Sequence, residues 1–399
     1  MSDKEYDRKY KEEQPVVAIC YDFDKTLSPD NMQEQGYIQS LDYDDIRKFW
    51  EKSNSLAEDN EMDQNLSYMY LMKKEAEGKV LFTKKKLKEC GAGVQLFPGV
   101  EEWFERIRSY GRKKGVIVEH YIISSGLKEI IEGTSVAKAG AFEKIYASSF
   151  YYNENDVAIW PAQIVNYTGK TQFLFRIEKG VLDINDPAVN EHFSPEEIRV
   201  PFRNMIYIGD SDTDIPCMKL VNSYGGYSIG VYDSNTMDKK KVYKMMRDGR
   251  VRYFVPADYS EETELDILVK SIIDRTAANE KLETLHCKYK NEFVMADREY
   301  NEEEREKTDL IISLENSNSF KDTHSKIAAL QKIDHWTSDE KEMLLNIALH
   351  NNQVYYILGD SDVMFFYQKI LKGMKTPTAQ EVRKNLKKAG KEKDLTNGN

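Results

Sequence analysis

Val16 to Tyr21 (VVAICY) is a continuous apolar run, cut off at once by Asp22-Phe23-Asp24. A strand with one wet face would alternate polar and apolar residues, so an unbroken run marks a strand buried on both faces. Three similar runs follow: HYIIS ending at Ser124, MIYI ending before Gly209-Asp210, and YSIGVY ending at Tyr232. Helical stretches separate them. That alternation predicts an α/β fold, a parallel sheet with helices on both faces. Polar residues just after such strands gather at the carboxyl edge of the sheet, where open α/β folds place their sites.

Between Ser28 and Pro98 the pattern changes. Segments such as DDIRKFWEK and NLSYMYLMKK space their apolar residues three and four apart. They predict a helical insert over 29–97, of a size that forms a small domain of its own. Gly99 to Lys114 returns to the core as an amphipathic helix with Trp103, Phe104 and Ile107 as its stripe. Asp156 to Tyr167 reads as a β-flap or hairpin broken by Pro161. The core therefore spans 15–28 and 98–275, behind a polar, frayed segment 1–14. From 276 to 385 the sheet signals stop and a helical appendage begins. Leu282, Leu285, Tyr289, Phe293, Ala296 and Tyr300 follow helical spacing, too briefly for a coiled coil. Thr337-Ser338-Asp339-Glu340 resembles a capping box, opening a helix that carries Met343, Leu344, Ile347 and Ala348. Residues 386–399 read as a disordered tail.

Composition removes several function classes. Forty per cent apolar residues suit a globular chain, while a formal net charge of -11 repels a polyanion and disfavours nucleic acid as a partner. Cys20, Cys90, Cys217 and Cys287 lie far apart and read as reduced thiols. The charged N-terminus is unlike a signal peptide, and no run of about 18 apolar residues offers a membrane span. A cytoplasmic protein is expected.

Four pieces carry chemistry. Asp22-Phe23-Asp24-Lys25-Thr26-Leu27 sets two carboxylates at a strand end, where both can converge on one cation. Ser124-Ser125-Gly126 offers hydroxyls and free backbone N–H groups, a natural phosphate cradle. Lys170 follows in Thr168-Gly169-Lys170-Thr171. Gly209-Asp210-Ser211-Asp212-Thr213-Asp214 packs three acids into five residues, which repel one another unless a cation or lysine offsets them. Each piece alone also reads as a turn or a helix start. Their order is more telling than any one of them.

Taken together, the four resemble the motifs of the haloacid dehalogenase (HAD) superfamily: DxDxT after the first strand, Ser or Thr after the second, an isolated Lys, then GDxxxD. The steps from Asp22 to Ser124, Lys170 and Asp210 are 102, 46 and 40 residues, ordinary for that family, and the resemblance covers roughly residues 15–275. It implies a Rossmann-like core, a helical cap at 29–97, and a phosphatase that uses Mg²⁺. Asp22 would be the nucleophile and Asp24 the general acid and base. Thr26 would orient the loop. Ser124, with Ser125 as a near rival and Gly126 beside them, would bind a phosphoryl oxygen. Lys170 would neutralise Asp22 and the phosphoryl group. Mg²⁺ would lie on Asp22, Asp210 and the backbone carbonyl of Asp24, with Asp214 supporting the metal or Lys170, and Asp212 as the spare acid. The acid two residues after the nucleophile marks phosphatases and phosphomutases within the family. Cap closure over a small phosphorylated substrate would exclude water, with Trp50, Tyr68 and Tyr70 as pocket candidates.

Two further readings stay open. A phosphomutase or phosphotransferase would share the same acids, and an interaction protein would use residues 276–385 to bind a partner or a second copy. Gly359-Asp360-Ser361-Asp362 repeats the GDSD string but has Met364 where the last acid belongs, so it reads as a turn into a helix. The six histidines form no HxxxH pair, and the lysines from Lys369 to Lys393 read as a solvated helix and tail.

Overall fold

A computed structural model describes residues 6–194, 197–296 and 302–396. They divide into two compact units, one of residues up to 189 with 198–283, the other of 190–197 with 284 onward.

The first unit is built on a seven-stranded sheet: β1 (Val16–Tyr21), β2 (Ile117–Leu127), β3 (Lys144–Tyr152), β4 (Ala158–Gln163), β5 (Met205–Gly209), β6 (Tyr227–Tyr232) and β7 (Tyr253–Pro256). Their spatial order is β4-β3-β2-β1-β5-β6-β7. All pairs are parallel except β3–β4. The four apolar runs are strands, as expected, although β2 runs on through Ser125 and Gly126 to Leu127 with a register shift there. Pro161 is tolerated inside β4 because β4 lies at the sheet edge.

Chain direction across the sheet reverses at β1. The strands following it go first to one side (β2 to β4) and then to the other (β5 to β7). Tyr21 is level with both Ile122 of β2 and Ile208 of β5. The residues just beyond these three strand ends therefore meet at a topological switch point, the crevice that open α/β sheets use for ligands.

Alternate residues of β1 enter two separate cores. Val17, Ile19 and Tyr21 pack with Trp103, Phe104 and Ile107 of the helix Val100–Lys113. Val16, Ala18 and Cys20 pack with Phe173, Leu174 and Ile177 of the helix Thr171–Lys179, and with Cys217 and Met218 of the helix Ile215–Ser223. Helices cover both faces, which is why the strand lacks polar residues.

The insert between β1 and β2 carries helices at Ile46–Asp59, Gln64–Ala76 and Lys84–Gly91. Its buried Phe49, Tyr68, Met69, Leu71 and Met72 join the same apolar cluster as Tyr21. The insert is thus helical as expected, but its core is continuous with that of the sheet.

The N-terminal segment departs from the frayed chain expected of it. Lys9 donates its backbone N–H to the Gly180 carbonyl (2.9 Å), and Arg8 forks onto Asp186 at 2.6 and 2.8 Å. Lys9 and Arg199 both bind Glu119, a carboxylate only 4% exposed, through contacts of 2.6 to 2.8 Å. Polar residues anchor this segment because the groups they meet are buried charges. Burial alone would raise the Glu119 pKa, but Arg199 and then Lys9 outweigh it and hold it at about 2, below the ordinary 4.5. A depressed carboxylate stabilises the folded state above its unfolded pKa and loses that contribution as pH falls through the folded one. Glu119 should therefore supply on the order of 3 kcal/mol at neutral pH, lost between about pH 4.5 and 2. Urea melts against pH should show a steep acid limb that Glu119→Gln flattens. Superimposable limbs would refute the assignment.

The second unit is helical, with a core that includes Ile311, Leu314, Ile327, Leu344, Phe366, Tyr367 and Val382. Both hydrogen bonds of the Thr337–Glu340 capping box are present, at 2.7 and 3.2 Å, opening the helix Ser338–His350. Leu344, Ile347 and Ala348 of that helix are buried, whereas Met343 is on its exposed side. Asp360 stands at the N-cap position of the helix Ser361–Ile370, so the second GDSD string leads into a helix as expected.

Two expectations need correction here. The helix Glu264–Ala296 buries Leu265, Val269, Ile272 and Ile273, but Leu282, Leu285 and Tyr289 are exposed. Helical spacing is present there without a partner face among the described residues. The Phe293 and Ala296 side chains and Tyr300 lie outside those residues. The tail expected from 386 onward instead continues the helix Pro377–Thr396, held by Ala379, Val382 and Leu386, which recur at helical spacing and are buried.

Candidate active site

Asp22 is the first residue beyond β1, and its N–H extends the ladder to the Ile208 carbonyl at 3.0 Å. Its carboxylate, 5% exposed, accepts the Phe23 N–H at 2.7 Å. The chain then coils tightly. Thr26, Leu27 and Ser28 all donate to the Phe23 carbonyl, and Lys25 takes a left-handed φ of 56°. The Tyr259 hydroxyl pins the Thr26 carbonyl at 2.9 Å. This turn brings the Asp24 carboxylate back beside Asp22, where the Met32 N–H fixes it at 2.7 Å.

Lys170 closes a short 3₁₀ turn, Tyr167–Lys170, and is wholly buried. Its Nζ lies 3.1 Å from Asp22 Oδ2 and 2.7 Å from Asp214 Oδ1. Asp214 is saturated: Oδ1 also accepts the Tyr207 hydroxyl at 2.8 Å, and Oδ2 takes the N–H and hydroxyl of Ser211 at 3.0 and 2.9 Å. A Cβ on Gly209 would stand 2.5 Å from Asp214 Oδ2, so only glycine lets that carboxylate approach the strand end. Asp210 pairs with Lys241 Nζ at 3.0 Å, and Asp212 is exposed.

On the β2 side, Ser124 is buried and its hydroxyl accepts the Gly126 N–H at 3.1 Å. Ser125 Oγ and Thr26 Oγ1 are buried without a hydrogen-bond partner. A Cβ on Gly126 would fall 3.0 Å from Asp24 Oδ2 and clash with the Met32 side chain, so only glycine lets both approach β2 here. From the insert, the Tyr68 hydroxyl donates to the Ser125 carbonyl at 2.8 Å. Trp50 donates to Glu34 at 2.7 Å, and Tyr70 is exposed.

All nine candidate residues thus gather at one sheet edge. Carboxylate oxygens of Asp22, Asp210 and Asp214 lie within 4.8 Å of one another, a group that does not include the Asp24 carboxylate. Burial, then Asp214, pushes the Asp22 carboxyl up to about 7 against the pull of Lys170. Burial likewise raises Asp24, with Asp22 adding to it, and raises Asp210 against the opposing pull of Lys241. Burial works against a charged Lys170, but Asp214 and Asp22 outweigh it and hold the ammonium above its ordinary value. Four acids face Lys170 and Lys241, with Lys25 near enough to lower Asp24 and Asp210, so acids still outnumber the cations. Close-set oxygen donors with that excess fit one hard divalent cation. With Asp214 saturated by hydrogen bonds, Asp22 and Asp210 are the carboxylates available to it.

Lys241, Tyr207 and the Met32 N–H were not legible as site residues. Lys241 follows the β6 strand end in Asp238-Lys239-Lys240-Lys241, a position that marks it in retrospect. Tyr207 is hidden within an apolar strand.

Residues 19–219, just over half the chain, match the family of haloacid dehalogenase-like hydrolases. The chain belongs to that family. An uncharacterized protein of Borreliella burgdorferi is 27% identical to this hydrolase over 282 residues, which is 64% of this chain and 95% of that one. Among solved structures, a HAD family hydrolase from Salmonella enterica serovar Typhi is similar at 17% identity and a TM-score of 0.42, covering 66% of this chain and 73% of its own. A substrate-bound phosphoserine phosphatase is similar at 12% identity and a TM-score of 0.39, covering 64% and 98%. No helix among the described residues is long and apolar enough to cross a membrane.

Proposed function

We propose that this hydrolase is a Mg²⁺-dependent phosphomonoester hydrolase that works through an aspartyl-phosphate on Asp22. The observation that carries this reading is the buried Lys170 ammonium, bridging Asp22 and Asp214 at 3.1 and 2.7 Å with Asp24 and Asp210 at the same sheet edge. A carboxylate attacking an anionic phosphoryl group meets like-charge repulsion, and a fixed cation beside it offsets that repulsion.

Asp22 forms the new O–P bond as the bond to the leaving oxygen breaks. Asp24, held by the Met32 N–H, gives that oxygen its proton and afterwards takes one from the water that cleaves the acyl phosphate. Lys170 stays on the nucleophile throughout, with Asp214 fixing it in place. Ser124 or Ser125 donates to a phosphoryl oxygen; the partnerless hydroxyl of Ser125 favours Ser125. Asp22, Asp210 and the Asp24 carbonyl would hold Mg²⁺, which supplies Lewis-acid neutralisation of phosphoryl charge.

EDTA should abolish phosphate release from p-nitrophenyl phosphate, and Mg²⁺ should restore it. Ca²⁺ should inhibit, because its larger and looser shell accepts both oxygens of a nucleophilic carboxylate. Undiminished turnover in EDTA would sink the metal assignment. A phosphotransferase would instead release the alcohol without free phosphate when a second alcohol is supplied.

A further inference from the structure

The insert joins the core through two neighbouring segments. It leaves after Leu27 and returns at Phe97, whose N–H donates to the Leu27 carbonyl at 2.9 Å. Tyr259, just beyond β7 and fully buried, holds both segments. Its N–H donates to the Pro98 carbonyl at 2.8 Å and its hydroxyl to the Thr26 carbonyl at 2.9 Å. Gly99 makes this junction tight: its φ is a left-handed 74°, and a Cβ there would stand 2.3 Å from the Ser260 nitrogen. The Tyr259 ring meets Trp103 edge-on, with centroids 5.2 Å apart, and the Trp103 N–H donates to the Tyr21 hydroxyl at 2.8 Å. Two packed rings thus hold the chain on either side of the acids, at Tyr21 before Asp22 and at Thr26 after Asp24.

The residue between Asp24 and Thr26 is strained. Lys25 has a φ of 56°, and a left-handed residue other than glycine persists only where its surroundings over-determine it. The N–H groups of Thr26, Leu27 and Ser28 close the turn from within, all on the Phe23 carbonyl. Tyr259 holds it from outside, across 233 residues of chain. Thr26 is wholly buried, so without that hydroxyl its carbonyl loses a donor where water cannot replace it. Turning the Lys25–Thr26 segment toward an unstrained conformation is the available relief, and it re-aims Asp24.

We infer that Tyr259 is a positioning residue for the acid: by bonding the Thr26 carbonyl it keeps the strained turn in the form that presents Asp24 to the leaving oxygen. This rests on the phosphomonoesterase reading above. Tyr259 touches neither phosphorus nor the leaving group and acts through the main chain.

The test is Tyr259→Phe in the full-length protein, which removes one oxygen and keeps the ring on Trp103. The quantity compared is kcat/KM, which covers the steps up to departure of the leaving group. Hexyl phosphate, whose alkoxide needs a proton, should lose on the order of tenfold, while p-nitrophenyl phosphate, which needs little protonation, should stay within about threefold. The ratio of the two does not depend on the fraction folded. Rapid quenching with p-nitrophenyl phosphate should also show more phosphoryl-Asp22 than in the parent, because the displaced carboxylate is the base for its hydrolysis. Tyr146→Phe is the matched control: Tyr146 is 1% exposed, and its hydroxyl likewise donates to a main-chain carbonyl, that of Leu182, at 2.9 Å. It should lose comparable stability in urea melts and leave the substrate ratio at the parent value. An equal fall for both substrates in Tyr259→Phe, or an unchanged ratio, would overturn the role of Tyr259, as would the same shift in Tyr146→Phe. A parent protein that releases phosphate from neither ester would end the phosphatase reading and this inference together.

Discussion

Asp22→Asn should abolish both turnover and phosphoenzyme, while Asp24→Asn should trap the phosphoenzyme. The first change removes the attacking oxygen and keeps the side chain's shape at a site only 5% exposed, so folding should survive. The second leaves the nucleophile and its lysine in place but removes the proton donor and the base. With an alkyl phosphate, Asp24→Asn should lose on the order of 10²-fold or more in kcat, the usual weight of a general acid–base. With an activated aryl phosphate the first step needs little protonation, so phosphoryl-Asp22 should accumulate because its hydrolysis has lost the base. Intact-protein mass spectrometry after rapid quenching would show the added phosphoryl group. Label on Ser124 or Ser125, or normal turnover in Asp22→Asn, would refute the aspartyl-phosphate mechanism.

Lys170→Met should cost both activity and stability, and the two losses should separate. Lys170 has no exposed surface, and its ammonium is the one cation within ion-pair distance of both Asp22 and Asp214 among the described residues. Its removal leaves two buried carboxylates facing each other. Breaking a buried pair from one side typically costs about 3–5 kcal/mol. Activity should fall on the order of 10²–10³-fold, since a fixed cation beside the developing charge is lost. In Lys170→Met/Asp214→Asn one of the stranded charges is gone as well. Chemical denaturation should therefore find the double variant more stable than Lys170→Met alone, while turnover stays low. A double variant that regains activity would mean that Lys170 serves only to balance Asp214. A Lys170→Met protein as stable as the parent would contradict the buried geometry.

Much of the site was legible because its chemistry is local. Asp22, Asp24, Ser124, Asp210 and Asp214 each stand within a few residues of a strand end, and strand ends announce themselves as the limits of apolar runs. Lys170 precedes a helix that packs on the far face of β1, so order in the chain located it although no strand does. The companions of these residues were not legible. Tyr207 points at Asp214 from inside an apolar strand, where a tyrosine looks like any other core residue. Lys241 comes from another connection, and Met32 acts through a main-chain N–H, to which any residue type contributes equally.

The ends of the chain show the same division. Polar composition suggested a frayed start, yet Arg8 and Lys9 find buried acids more than one hundred residues away. The helix Pro377–Thr396 runs on into the expected tail: Ala379, Val382 and Leu386 recur along it at helical spacing and are buried, and only the last of them lies in the segment read as tail. The exposed Leu282, Leu285 and Tyr289 err in the other direction: spacing declares an apolar stripe, and only a partner surface can bury it.

By itself, the sequence determined the strand ends, the helical insert and the acids that converge, because periodicity and residue chemistry act over short stretches of chain. Only the tertiary structure decided which oxygens remain free. Asp214 is spent on Lys170, Tyr207 and Ser211, while the hydroxyls of Ser125 and Thr26 are left without a partner. Hydrogen-bond saturation depends on partners brought together from distant segments, and no local pattern encodes it.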